Sequence, residues 1–396
     1  MSDTLFVFLL VLAASFVFST LLSRIPLLRV PSTVGYLIFG MLLQIHMFHL
    51  TSEETNWMNH LADFGLLFLM YVSGMEVDVH QLRPSKWKEN GQSVLPMGLS
   101  IFCMTLLVSF GISLLLCHFT PPRTNPYMLA LLFSTTSLGV ILPILEEAKL
   151  LHQSFGQSLL VSALIADFLT MLLLSMFISS QTSGSWTQVL LTLAIVPFAC
   201  IIYIVLRSVQ RSPWLRRFAG DVQIRIRAII ALLAVTAALA DFTGAEPILG
   251  SFLVGMLVSA LPFSFKEKLR DYSHGIGYGF FIPLFFISVG LDFDFHSLRS
   301  TEAIIWIPAL IAVAFVVKIV PALHMVRHFG WRQALAGGFL LSARLSLIAA
   351  AAQIGVQIGA LPQTFADAII LVAIFTSMVA PILFVSLTPR AMREQH

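Results

Sequence analysis

Two stretches in the first half of the chain decide how it folds: residues 133–143, with the sequence FSTTSLGVILP, and residues 162–171, with the sequence SALIADFLTM. Both lie in apolar runs long enough to cross a bilayer as helices. Asp167 stands near the centre of the second run, where an ionised carboxylate costs roughly 2.5–3.5 kcal/mol. The first run combines four consecutive hydroxyl residues with a glycine and a proline, which favours an interrupted helix. We interpret the two stretches as one site for an ion.

The composition is that of a polytopic membrane protein. Of the 396 residues, 58% are hydrophobic and 11% are charged, whereas a soluble protein carries about 25% charged residues. The three cysteines, Cys103, Cys117 and Cys200, fall in apolar runs and indicate neither a disulfide framework nor a metal site. The first apolar run, residues 5–22, lacks the basic start and the cleavage site of a signal peptide, so we expect a retained span. The last run ends near Leu387, and we expect no soluble domain.

Apolar windows separated by short polar loops predict thirteen transmembrane helices and therefore an all-α polytopic membrane protein. The expected spans are 4–22, 31–46, 60–79, 93–117, 126–146, 158–180, 187–206, 226–242, 246–262, 275–291, 302–324, 333–354 and 366–387.

The basic residues predict the orientation. With the N-terminus outside and the C-terminus cytoplasmic, nearly all of the 23 Lys and Arg residues fall in cytoplasmic segments. Arg123 and Arg299 lie in external loops, and Lys318 and Arg344 lie inside spans. Because cytoplasmic loops carry an excess of basic residues, this distribution supports the orientation and the odd number of spans in a cell (inner) membrane.

The longest cytoplasmic loop, residues 207–227, separates two oppositely oriented halves. Transporters built from inverted repeats place two discontinuous helices at matching positions of their halves. Span 5 carries the interrupted stretch 133–143. Its counterpart, span 12, contains GGFLLSARLS at 337–346, which also has small residues, hydroxyls and a charge at membrane depth. We therefore expect an inverted repeat with two discontinuous crossing helices.

The expected site combines one acid with the first interrupted helix. A low dielectric favours the neutral form of Asp167, so a proton can compete with a monovalent cation for its carboxylate. The alternative is an Asp that a structural partner neutralises. The neighbouring hydroxyls and freed carbonyls are expected to ligate the cation, unless the hydroxyls only bond back to their own helix and bend it. These residues are Ser134, Thr135, Thr136 and Ser137.

Two basic residues inside spans are expected to compensate charge. Lys318 in span 11 either neutralises a carboxylate or the dipoles of the broken helices, or it extends to the inner interface. Arg344 in span 12 keeps its proton. We expect it to hold a structural place at the crossing, rather than to take part in transport directly.

Other acids lie at span ends, where we expect interfacial, entrance or funnel groups. They are Glu76, Asp78, Asp292, Asp294, Glu146, Glu147, Asp63, Asp241 and Glu246. The histidine pairs His46 with His49 and His324 with His328 have helical spacing but lack a further ligand, so no metal site is expected there. The sequence has no phosphate-binding loop, no zinc-protease motif and no nucleophile elbow. It therefore indicates no enzyme, no cofactor and no nucleic-acid partner.

Four further motifs resemble the monovalent cation:proton antiporter superfamily, in its bacterial Kef/Nap-type branch. They are VPSTVGYLIFG at 30–40, the stretch from FGLLFLM to SGMEVD at 64–78, LGSFLVG at 249–255 and FFISVGLD at 285–292. The resemblance covers nearly the whole chain and implies a homodimer with elevator-like motion. It also places the transported cation on the acid of span 6, which is Asp167.

The resemblance implies a division of the chain into domains. Dimer-domain helices 1–3 and 8–10 occupy residues 1–80 and 225–291, and core-domain helices 4–6 and 11–13 occupy 92–182 and 301–388. A linker helix and basic loop occupy 187–224.

The chain departs from the family pattern at two places. The family often has Asn, Gln or a second Asp before the span-6 acid, where this chain has Ala166. In span 12, some members carry a Gly-Glu pair after the arginine, where this chain has Leu345 and Ser346. The family's span-11 lysine is matched by Lys318. With one titrating acid, we expect one-for-one, electroneutral exchange.

Together these features predict secondary-active exchange of Na⁺ or K⁺ for H⁺, with a role in pH homeostasis. The expected surroundings are membrane lipid and a second copy of the chain, and a regulatory cytoplasmic subunit is a possible partner. The alternative is a potassium efflux pathway gated by a separate cytoplasmic nucleotide-binding subunit. Hydroxyl and carbonyl ligands suit Na⁺ and K⁺ alike, so the sequence leaves the choice of ion open.

Overall fold

The chain folds as an all-α membrane protein. The computed structural model describes residues 12–21, 32–45, 52–76, 88–89, 92–119, 124–151, 153–183, 201, 204, 222–243, 247–260, 266–293 and 301–388. Five helices in these ranges are long and apolar enough to cross a membrane: Leu95–Cys117, Ser154–Gln181, Lys268–Leu291, Trp306–Phe329 and Gln363–Leu387. With the shorter apolar helices among them, this pattern identifies a multi-pass membrane protein.

The first part of the chain contains α1 (Leu12–Leu21), α2 (Ser32–Ile45), α3 (Ser52–Glu76), β1 (Lys88–Glu89), β2 (Gln92–Ser93), α4 (Val94–Cys117), α5 (Pro126–Ser134), α6 (Leu138–Glu147) and α7 (Ser154–Ser183). The second part contains α8 (Val222–Thr243), α9 (Pro247–Ala260), α10 (Lys266–Ile276), a π-helical turn (Gly277–Phe281), α11 (Ile282–Leu291), α12 (Thr301–Ala322), a 3₁₀ turn (Leu323–Met325), α13 (Val326–Phe329), α14 (Trp331–Leu341), α15 (Ser346–Gln357) and α16 (Gln363–Leu387).

Every expected span except the seventh has a helical counterpart in the described ranges. The seventh, 187–206, lies outside the described residues apart from positions 201 and 204, which are helical. One small element was not expected from the sequence. It is the antiparallel hairpin of β1 and β2, in which Lys88 pairs with Ser93 and Glu89 pairs with Gln92.

The predicted interruption of two helices is confirmed. In span 5 the helix ends at Ser134 and resumes at Leu138, and in span 12 it ends at Leu341 and resumes at Ser346. The first half-helix, α5, has a well-formed start. Asn125 caps it by accepting from the backbone N–H groups of Tyr127 at 2.9 Å and Met128 at 3.4 Å, as expected for an N-cap asparagine.

The chain divides into two compact units. Unit 1 comprises residues 1–19, 36–81 and 175–291, and unit 2 comprises 20–35, 82–174 and 292–396. Both interrupted helices belong to unit 2, together with α12, α16 and the first two-thirds of α7. The assignment of these parts to a dimer domain and a core domain stays a prediction.

Helices of unit 1 approach each other through glycines. A Cβ atom on Gly74 of α3 would lie 2.0 Å from the carbonyl oxygen of Phe252, and one on Gly255 of α9 would lie 2.0 Å from that of Tyr71. The two helix backbones are therefore in direct contact, in the manner of the small-residue interfaces of membrane helices.

In unit 2, glycines position the helices that carry the candidate site. A Cβ atom on Gly338 of α14 would lie 2.8 Å from the Cα atom of Ile319, the neighbour of Lys318 on α12. On α4, a Cβ atom added to Gly98 would lie 3.3 Å from the Cα atom of Ser162 on α7. Close packing at these points fixes α12 against the second interrupted helix and α4 against the helix that carries Asp167.

Candidate ion site at the crossing of two interrupted helices

The two interruptions meet within unit 2. The backbone N–H of Ser137, in the break between α5 and α6, donates to the carbonyl oxygen of Ala343, in the break between α14 and α15, at 3.1 Å. Ser134 to Ser137 are buried, and so are Ser342 to Leu345. Irregular backbone at membrane depth is tolerated where protein groups satisfy it, and here each break satisfies part of the other.

Arg344 binds carbonyl oxygens at both breaks and one carbonyl oxygen of α12. Its side chain is fully buried. Nη1 donates to the carbonyl oxygen of Phe133 at 2.8 Å, Nη2 to that of Ala314 at 2.6 Å and Nε to that of Ser342 at 3.2 Å. Phe133 lies in the last turn of α5, and Ser342 follows the end of α14. The guanidinium therefore compensates the negative ends of two half-helices at once.

Lys318 acts on the same end of α5 from a different helix. Its Nζ atom donates to the carbonyl oxygen of Ser134 and to Thr136 Oγ1, both at 2.7 Å. The side chain is 2% exposed, so it points into the protein, not along the span toward the interface. Two basic side chains, Lys318 and Arg344, thus bind the C-terminal end of α5, where the helix dipole places partial negative charge.

The four hydroxyl residues of the first break have different roles. Ser134 Oγ donates to the carbonyl oxygen of Leu131 at 2.8 Å, and Thr135 Oγ1 donates to that of Leu132 at 2.7 Å. These are the back-bonds that the sequence allowed as an alternative, and they occur together with the interruption. A hydroxyl that donates its proton still has lone pairs that can accept a hydrogen bond. Thr136 Oγ1 accepts such a bond from the ammonium group of Lys318.

Asp167 lies on α7 and is 4% exposed. Its carboxylate interacts electrostatically with the ammonium group of Lys318. The preceding residue, Ala166, packs in an apolar cluster with Phe102, Val161 and Ile165. The position before Asp167 is therefore on a hydrophobic face of α7.

Four half-helix ends lie at the crossing. The C-terminal ends of α5 and α14 carry partial negative charge, and the N-terminal ends of α6 and α15 carry partial positive charge. Lys318 and Arg344 bind carbonyl oxygens at the two C-terminal ends.

Asp367 is a buried acid that the sequence analysis did not single out. It lies near the start of α16, is fully buried and accepts from Gln363 Nε2 at 3.0 Å. Gln363 also donates to the backbone oxygen of Asp292 at 3.3 Å, and Gln353 donates to Asp292 Oδ2 at 3.0 Å. Desolvation of the Asp292 carboxyl raises its pKa above the ordinary value, although the residue as a whole is exposed. A carboxylate near the start of an apolar run was the available signal for Asp367.

The remaining sequence predictions concern span ends. Asp63 is exposed on α3, and Glu76 is half-buried at the end of that helix. Several predicted groups lie outside the described residues: Asp78, Asp294, Glu246, His46, His49 and the side chains of Glu146, Glu147 and Asp241. His324 and His328 lie in the 3₁₀ turn and α13. In the part of the chain that the structure describes, no cluster of His, Cys, Asp and Glu could hold a metal ion.

Comparison with known proteins agrees with this architecture. The family described as "Sodium/hydrogen exchanger, transmembrane" matches residues 8–388. The Bacillus subtilis protein named "Putative Na(+)/H(+) antiporter YjbQ" is 36% identical over 397 residues, which cover 96% of this chain and 62% of the relative. The chain thus spans less than two-thirds of that relative's length.

For a second relative and for a solved structure, the match extends over most of this chain and most of the other protein. The Bacillus cereus protein named "Na(+)/H(+)-K(+) antiporter GerN" is 26% identical, covering 89% of this chain and 88% of the relative. The structure of the sodium proton antiporter MjNhaP1 from Methanocaldococcus jannaschii has a TM-score of 0.61 at 15% identity and covers 97% of each chain. That likeness establishes the fold alone.

Proposed function

Because the chain belongs to the sodium/hydrogen exchanger family, we propose that it is a secondary-active antiporter that exchanges a monovalent cation, Na⁺ or K⁺, for H⁺. Asp167 is the group that binds either the cation or the proton. The observation that carries this proposal is the buried Asp167 carboxylate on α7, whose charge acts on Lys318, which itself binds the interrupted helix.

The chemistry of exchange follows from competition for one carboxylate. A buried Asp is unstable as a bare anion, and either a proton or a monovalent cation neutralises it. Both loaded forms of the site carry the same charge, so a complete cycle that exchanges one cation for one proton moves no net charge. The empty form differs from them by one charge, which makes its passage across the membrane slower. This difference couples the two fluxes.

The crossing supplies the other ligands in this proposal. Ser134, Thr135, Thr136 and Ser137 offer hydroxyl and carbonyl oxygens, which suit alkali cations. Lys318 and Arg344 occupy the negative ends of the half-helices, so these dipoles do not themselves draw in a cation. We assign these two residues to charge compensation. The ion is then held chiefly by Asp167, whose charge a proton can cancel.

Movement of the site is proposed to follow the elevator scheme that the family resemblance implies. The core domain, 92–182 and 301–388, would carry Asp167 and the crossing past a dimer domain formed by 1–80 and 225–291 in each of two copies. The division of the chain into unit 1 and unit 2 supports this assignment, because every residue of the proposed site belongs to unit 2. The N-terminus is placed outside and the C-terminus in the cytoplasm on the basic-residue distribution.

The test is cation-stimulated proton flux in proteoliposomes that contain the purified protein, with Na⁺, K⁺, Li⁺ and Rb⁺ compared. We expect the wild-type protein to move protons when one of these cations is supplied on the opposite side. Asp167→Asn should abolish this flux, because the amide takes up no proton and carries no negative charge for which a cation and a proton could compete. Asp271→Asn, a matched change at an exposed position of α10, should leave the flux unchanged.

The same assay distinguishes the alternative. Persistent exchange in Asp167→Asn would refute the site. Cation flux without counter-moving protons, at a rate far above that of a carrier, would instead support a gated potassium pathway. An imposed membrane potential tests the stoichiometry: one-for-one exchange predicts a rate that is independent of the potential, and a potential-driven rate contradicts it.

A further inference from the structure

Thr170 has a buried hydroxyl that the fold does not use. The residue is fully buried on α7, and Thr170 Oγ1 has no hydrogen-bond partner among the described residues. A buried polar group without a partner costs about 1–3 kcal/mol. Such a group in a native protein calls for an explanation, and an ion is one of the few that the chemistry allows.

The local helix does not take up this hydroxyl. Ser and Thr in membrane helices usually donate to a carbonyl of the preceding turn. Two serines earlier on α7 do so: Ser158 Oγ donates to the carbonyl oxygen of Ser154, and Ser162 Oγ donates to that of Ser158, both at 2.7 Å. Thr170 makes no such bond, so its oxygen and its proton both remain available to a ligand.

The position of Thr170 places it beside the proposed ion site. It follows Asp167 by three residues, and side chains at this spacing are neighbours on one helix face, with Cβ atoms about 5–6 Å apart. The other residues within one turn on this face are Ala163, Leu164 and Met171, which are buried and carry no oxygen. Thr170 is thus the polar companion that α7 provides for Asp167.

From this juxtaposition we infer that the Thr170 hydroxyl is a ligand of the cation held by Asp167, an inference that rests on the proposed function. A dehydrated alkali cation needs several oxygen ligands, whereas the carboxylate binds a proton covalently and the resulting O–H needs only one acceptor. The hydroxyl therefore stabilises the cation-loaded form more than the protonated form. It sets the balance between the two competing ions. Position 166 cannot do so in this chain, because Ala166 carries no polar group.

The test compares Thr170→Val, which replaces the hydroxyl with a methyl group of similar size, with Thr170→Ser, which keeps it. In the proteoliposome assay, Thr170→Val should raise the cation KM about five- to tenfold, the loss expected for one ligand bond. Its maximal rate should stay within about twofold of the wild type, because proton binding at Asp167 is unchanged. Thr170→Ser should keep KM within about twofold.

Ser175→Ala is the matched control. Ser175 lies on the same helix, is fully buried and also has an Oγ atom without a partner in the described ranges, but it is two turns from Asp167. We expect no change in KM for this variant. An unchanged KM in Thr170→Val, or an equal change in Ser175→Ala, would overturn the inference.

Stability supplies a second readout. If the Thr170 hydroxyl has no structural partner, Thr170→Val should unfold at or above the wild-type temperature, because a buried unpaired polar group is replaced by an apolar one. A variant that fails to fold would mean that the hydroxyl serves the fold, and it would also overturn the inference. The two proposals fail separately. Exchange in Asp167→Asn refutes the proposed function, whereas an inactive Asp167→Asn together with a normal KM in Thr170→Val refutes only the role of Thr170.

Discussion

Unit 1 and unit 2 are stabilised in different ways. In the part of the chain that the structure describes, the buried charged side chains all belong to unit 2; they are Asp167, Lys318, Arg344 and Asp367. The described helices of unit 1 instead pack backbone against backbone, as at Gly74 and Gly255. Unit 1 is therefore expected to tolerate the loss of a polar group but not the gain of a methyl group. Unit 2 should depend on individual polar side chains.

This difference follows from what each unit has to bury. Continuous helices satisfy their own backbone groups, so close contact is sufficient to hold them together. Interrupted helices leave carbonyls free at membrane depth, and charged donors must reach these carbonyls. The side chains that stabilise unit 2 are therefore also those that surround the proposed ion site.

The largest effect is expected at Arg344. Arg344→Met removes the donor that Arg344 supplies to the carbonyl oxygens of Phe133, Ala314 and Ser342. A hydrogen bond to a charged group contributes about 1.5–3 kcal/mol, so we expect a strong fall in the unfolding temperature of the detergent-solubilised protein. Arg344→Lys should recover only part of the loss, because an ammonium group cannot reproduce the fork of the guanidinium. If Arg344→Met is as stable as the wild-type protein, unit 2 does not depend on its buried polar side chains, and the proposed difference between the two units is wrong.

A smaller effect is expected from methyl groups added to unit 1. Gly74→Ala and Gly255→Ala each force a backbone contact to open, at a cost of about 1–3 kcal/mol. Gly275→Ala is the control within the same unit, since an added Cβ atom there meets nothing within 4 Å. Thermal unfolding should show losses for the first two and none for the third. Equal losses at all three would mean that close contact does not hold unit 1 together.

The smallest effect concerns single hydroxyls. Thr136→Val removes one of the two acceptors of Lys318 and should cost about 1.5 kcal/mol, as expected for a hydrogen bond to a charged group. In unit 1, Ser288 Oγ donates to Asn59 Oδ1 at 3.4 Å, a long bond whose loss in Ser288→Ala should cost less than about 0.5 kcal/mol. Unfolding of the two variants under the same conditions measures the difference, and a larger loss in Ser288→Ala would reverse the comparison.

The interruptions could be predicted because they leave local marks in the sequence. Four successive hydroxyl residues before Gly139 and Pro143 disfavour a continuous helix, and the glycines and Arg344 of span 12 mark the matching position. The fold class and the family follow from composition and from motifs in the same way. Charges at membrane depth in the sequence also identify Asp167, Lys318 and Arg344 as candidates.

The rest depends on packing, which single positions do not reveal. From the sequence alone, the Lys318 side chain could point into the protein or toward the membrane interface. Its Nζ atom reaches Ser134 and Thr136 because α12 packs beside the first break. Thr170 was missed because a lone Thr in an apolar helix normally bonds to its own backbone. Whether it does so is decided by its rotamer in the folded chain. The β1–β2 hairpin is too short to leave a periodic pattern.

The central claim is that one carboxylate binds a proton or a cation but not both. The most direct measurement is the release of protons from the purified, detergent-solubilised protein when Na⁺ or K⁺ is added in weakly buffered solution. The account predicts one proton released for each cation bound in the wild-type protein and none in Asp167→Asn. Cation binding without proton release, or unchanged release from Asp167→Asn, would contradict it.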